Sequence, residues 1–137
     1  MLNGGMGRRR DERGLSLSVW AAVAMPAFIV TIGLGVDFAG HAAAEQEARE
    51  VAAQAARAAT HQVVLTQEGP TLDVGAGRSA AQRFAEASGY TADVHLTEQT
   101  GAWVTVRGAY RTTFLGMIGI HSMAVEGEGS AQGVRVQ

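Results

Sequence analysis

"TIGLGVDFAGHAAAEQ", residues 31–46, begins as lipid-soluble chain and ends as a water-soluble helix, with one carboxylate, Asp37, at the seam. Neither Pro nor a turn cluster separates the halves, so a helix that enters the stretch is expected to run through it. Upstream, Leu15 to Val36 holds no ionisable residue. At 1.5 Å per residue, a run of about 22 residues is about 33 Å long, enough to cross a hydrocarbon core of about 30 Å. A buried core helix is the alternative, but an uncharged run of this length is hard to bury in so small a protein.

In front of that run stands "GRRRDERG", with Arg8, Arg9, Arg10 and Arg13. The positive-inside rule keeps these arginines cytoplasmic and sends everything after Asp37 to the outer side of the membrane. Pro26 removes one backbone hydrogen bond from the run and is expected to kink it near residues 22–26. The small-residue triplet Ala42–Ala44 resembles a signal-peptidase site. The apolar segment before it exceeds the roughly 7–15 residues of a cleaved signal, so an uncleaved anchor is the preferred reading.

From Asp37 onward "DFAGHAAAEQEAREVAAQAARAATHQVV" is rich in helix formers, and Glu45 stands four residues before Arg49. The helix is expected to reach about Val64, making one rod of about 50 residues and 75 Å. Ala44, Ala48, Val51, Ala55 and Ala58 recur at spacings of three and four. Gly40, Ala44, Ala48, Ala52 and Ala56 form a small-xxx-small ladder that lets another backbone come close, and are the candidate packing and assembly residues together with Asp37. Two settings suit the Asp37 carboxylate: water at the outer interface, or a pairing with an Arg or backbone group of a neighbouring subunit or assembly protein.

"TQEGPTLDVGAGRS" reads as a loop, followed by a short helix over residues 79–87 with Ala80, Phe84 and Ala87 on one side and Gly89 as its stop. "TADVHLTE" alternates as a strand, "QTGA" turns the chain and "WVTVRGAYRTTF" returns it, with Gly108 marking a bulge or a close approach. "LGMIGIHS" is an apolar connection and "MAVEGEGSAQGVRV" a third, glycine-loosened strand. The expected class is α+β: a long N-terminal helix, a short second helix, and an antiparallel sheet of about three strands packed on the long helix. The divisions are a basic leader 1–14, a transmembrane helix 15–36, its extracytoplasmic continuation 37–65 and a small globular part 66–137. Such a part is too small for a self-sufficient core and needs the long helix as support.

The 137 residues suit one domain with an appendage, and the net charge of -2 with 47% apolar content excludes a strongly basic nucleic-acid binder. There is no Cys for a disulfide or thiolate site. His41, His61, His95 and His121 form no metal-ligand spacing. Gly75, Gly77 and Ala80 formally match a dinucleotide fingerprint, but a Pro-containing loop precedes them where a parallel strand is needed. Neither a cofactor, a small-molecule substrate nor enzymatic activity is expected.

Three stretches carry a family resemblance: "RGLSLSVWAAVAMPAFIVTIGLGVDFAG", "EQEAREVAAQAARAA" and "VTVRGAYRTTFLGMIGI". With them the chain resembles the TadE/TadG-like proteins of Tad (tight adherence, Flp-type) pilus systems. The resemblance implies a minor pilin, pseudopilin or assembly component that acts by helix packing. Its implied partners are other pilins, Tad assembly proteins and membrane lipid, and its place is the cell membrane or a surface pilus. Tad pilins cut by prepilin peptidase resemble Gly, four residues, then Glu and an aromatic. Gly14 followed by Leu15 fits the cleavage position, but Val19 stands where Glu is needed, before Trp20, so an uncleaved component is an equal expectation. The rival reading is a single-pass, membrane-anchored extracytoplasmic binding domain outside any pilus.

Overall fold

A computed structural model describes residues 11–97 and 101–133, and its fold is α+β. The first helix, α1, runs unbroken over Asp11–Thr60, with Pro26 inside it. A hairpin follows, β1 (Val63–Thr66) and β2 (Gly69–Leu72), then α2 (Val74–Ala87). The chain closes with β3 (Thr91–Thr97), β4 (Gly101–Arg111), a one-turn 3-10 helix, η1 (Leu115–Ile118), and β5 (Ser122–Gln132). Strands β3, β4 and β5 form one antiparallel sheet in sequence order, and β1–β2 is a separate two-stranded ribbon.

The two halves of α1 differ in what surrounds them. Its front half contains a window apolar and long enough to cross a membrane, of which 6% is buried. Trp20, Val23, Phe28 and Ile32 are all exposed there. In the rear half Ala48, Ala52, Ala55, Ala56 and Ala59 have no exposed surface. They form the core with Ala81 and Ala85 of α2 and with Val94, Val104, Val106 and Val125 of the sheet. The seam pairs alanine on the helix with glycine on the strand. A Cβ on Gly127 would strike the backbone at Ala48 and Arg49, and one on Gly129 the backbone at Ala52 and Ala53. Period-two alternation turns these glycines inward while Glu126 and Glu128 face water.

Several boundaries differ from the sequence-based expectation. The long helix stops at Thr60 rather than near Val64, because Val63–Thr66 pairs with Gly69–Leu72 in the register Val63 to Leu72. The segment read as a loop is therefore a hairpin followed by the first turns of α2. Asp73 caps α2 through a 2.9 Å bond from the Ala76 amide to its Oδ1. Helix α2 buries Gly77, Ala81 and Ala85, while Ala87 is exposed. Gly77 selects this face, since a Cβ there would lie 3.0 Å from the Ala59 carbonyl oxygen. Gly89, at φ +85°, ends the helix with its amide bonded to Glu86, as the Tyr90 amide bonds to Ala85.

Gly108 lies in an unbroken register opposite Val125, so there is no bulge; it makes room for the Tyr90 ring, 2.7 Å from where a Cβ would be. Most of the basic leader and the first half of the expected "QTGA" turn lie outside the described residues, and Gly101 and Ala102 open β4. Gly14 and Leu15 fall within α1.

Candidate functional site

The sheet end nearest the apolar half of α1 is fastened by residues one helical turn apart. Gly33, Asp37, Gly40 and His41 lie along one side of α1 at spacings of four, three and one. Phe114 packs on Gly33, where a Cβ would come within 2.6 Å of the ring. Tyr110 sits over Gly40 closely enough that a Cβ would collide with its hydroxyl. His41 Nε2 lies 2.9 Å from the Ala124 carbonyl oxygen, and its ring meets the Tyr110 ring edge-on at 6.4 Å.

Asp37 is the centre of this fastening. It is fully buried and its carboxylate accepts three backbone amides: Thr113 to Oδ1 at 2.7 Å, and Phe114 and Leu115 to Oδ2 at 2.9 and 2.6 Å. These amides open the turn of η1, whose own N-cap residue, Phe114, supplies no side-chain cap. A carboxylate on α1 thus does for η1 what a local Ser or Asp does at most helix starts. Burial pushes the Asp37 pKa up, but the bonds from Thr113, Leu115 and Phe114 outweigh it and hold the pKa below its ordinary 3.8. The ionised form is the one the site is built for.

The candidate packing residues therefore have partners within the chain. The Asp37 carboxylate is turned from bulk water onto the amides of residues 113–115. Gly40 lies under Tyr110, while Ala48, Ala52 and Ala56 are covered and Ala44 is half-covered by the chain's own globular part. Within the chain, the backbone that comes close to this ladder is that of β5, at Gly127 and Gly129. Those glycines escaped notice as seam residues, although their spacing of two in "EGEGS" matches a strand face without side chains.

The Gly75–Gly77–Ala80 stretch forms part of α2 and follows an antiparallel ribbon, so no βαβ unit surrounds it. Among the described residues no three His, Asp or Glu side chains converge to hold a metal ion. Comparison with family models, curated proteins and solved structures returns no match.

Proposed function

We propose that this chain is a minor pilin, pseudopilin or membrane-anchored assembly component of a Tad-type pilus. In this reading the front half of α1 crosses the cell membrane, the basic N-terminus is cytoplasmic and the sheet stands outside. The observation that supports it is the division of one uninterrupted helix into a bare apolar half and a half that is the spine of a small sheet. A subunit that is handled by a membrane machine and packed beside similar rods needs its globular part fixed rigidly to its anchor. The contacts at Gly33, Asp37, Gly40 and His41 supply that fixation. With the rear ladder filled, lateral contacts with other pilins fall to the apolar surface between Leu17 and Phe38.

The same filled ladder favours a second reading, a lone membrane-anchored binding domain whose helix serves only itself. The two differ in their neighbours. Since the chain has no Cys, single cysteines at Val19, Val23 and Phe28 can be cross-linked in the intact membrane. A pilus role is expected to give adducts with pilins or pilus-assembly proteins, and deletion is expected to remove or shorten surface fibres seen by electron microscopy. Unchanged fibres with no such adduct would contradict it. Mass spectrometry of the mature amino terminus decides between a cut after Gly14, a cut near Ala44 and none.

A further inference from the structure

The connection from β4 to β5 is apolar at its exposed end. Met117 and Ile118 are each 74% exposed, and Ile120 is 47% exposed. No charged residue occurs between Thr112 and Ser122. This end lies along the apolar half of α1: Ile29, Val30 and Leu34 line one small cavity with Phe114, Leu115, Met117 and Ile118. Asp37 and Gly33 fix the direction, since the first holds residues 113–115 and the second holds Phe114 one turn nearer the N-terminus. From Val36 back to Ile29 is about 10 Å along a helix. If α1 spans the bilayer as proposed above, the tip lies at that depth inside the outer leaflet.

Most of the turn's backbone amides have partners within the chain, as a place without water requires. Residues 113–115 donate to Asp37, and the amides of Thr112, Met117, Gly119 and Ile120 donate to carbonyls of His121, Phe114, Gly116 and Leu115. Thr112 Oγ1 also donates to the Ile120 carbonyl. Gly119, at φ +96°, permits the tight return. Exposed Arg111 and His121 flank the turn at its base, where they would meet lipid headgroups if the turn enters the bilayer.

We propose that the turn over residues 114–120 is a second membrane contact, inserted among the acyl chains of the outer leaflet beside α1. Its occupant is lipid, argued from the continuity of this surface with the bare flank of α1 and from the paired backbone. The inserted turn fixes the sheet at a set height and rotation over the membrane, which a single helix alone leaves free. The proposal rests on the anchoring reading, and the test separates the two.

The full chain is reconstituted into phosphatidylcholine–phosphatidylglycerol vesicles with an environment-sensitive nitrobenzoxadiazole label on Met117→Cys, Ile118→Cys or, as a reference in the anchor, Val23→Cys. The proposal expects blue-shifted emission at both turn positions and loss of intensity with lipids carrying a doxyl group beyond the middle of the acyl chain. Aqueous iodide is expected to leave both unquenched. Iodide quenching at the turn, with Val23→Cys quenched by lipid, would overturn the insertion alone. Quenching of the turn by neither agent would mean that protein covers it, and would overturn the insertion too. Absence of lipid quenching at Val23→Cys would remove the anchoring reading and the insertion with it.

Discussion

Asp37 carries more of the fold than any other polar side chain described, because three amides depend on one carboxylate. Its position at the seam was legible in the sequence; its partners were not. Backbone amides 76 to 78 residues away leave no side-chain signature, so a lone Asp beside an apolar run looks the same whether it faces water or a buried turn. Asp37→Ala is expected to speed hydrogen exchange at Thr113, Phe114 and Leu115 by about tenfold or more, with Asp37→Asn intermediate. Unchanged exchange would show that the amides do not rely on this residue.

Acid is expected to act at the same place. Because the folded pKa lies below the ordinary 3.8, the ionised carboxylate's contribution is present above that pH and is lost as pH falls through the folded value. Exchange at residues 113–115 should therefore rise on acidification below about pH 4, beyond its intrinsic pH dependence, and Asp37→Asn should lack that step.

Among the elements, α1 and the β3–β4–β5 sheet could be read from periodicity, whereas β1 and β2 could not. Val63 to Thr66 follows a strong helix former with no break before it, and a strand of that length presents too few alternations to stand out. The start of α2 was hidden because Gly75 and Gly77 are poor helix formers. Close packing of Gly77 on α1 outweighs that cost.

The β5 glycines were read as loosening their strand, yet they let it lie on the helix backbone. Gly129→Val is expected to push strand and helix apart at a cost of about 1–3 kcal/mol or more, measured by chemical denaturation. Ser130→Val, on the exposed side, should stay within about 0.5 kcal/mol of the parent. Equal effects would contradict the assigned faces. Gly89→Ala, which forces a side chain to φ +85°, should cost about 1 kcal/mol in the same assay.

At the scale of the whole molecule, the contrast between a greasy half and an alanine-rich half of one helix was legible from the start. That the sheet leans on the second half was legible too; that its small-residue ladder receives the glycines of β5 was not, since such a ladder suits a neighbouring helix and a glycine-bearing strand equally well. In this chain the strand occupies it, which leaves the bare apolar half for lipid and for any lateral partner. Val23→Lys with Phe28→Lys is expected to shift the chain from the alkali-resistant membrane pellet to the soluble fraction, because each charge near the middle of a span costs about 2.5–3.5 kcal/mol on insertion scales. Retention in the pellet would argue against a spanning helix.

The central claim is that α1 is a single continuous support from the apolar segment to the rear of the sheet. Spin labels at the exposed positions Phe28 and Arg49 of the reconstituted full chain, read by pulsed dipolar spectroscopy, test it most directly. Twenty-one residues of continuous helix place the two backbone positions about 32 Å apart, so one narrow distance distribution near that value is expected. A much shorter distance, or two separate populations, would mean that the chain folds back or hinges near Asp37, and would contradict the account.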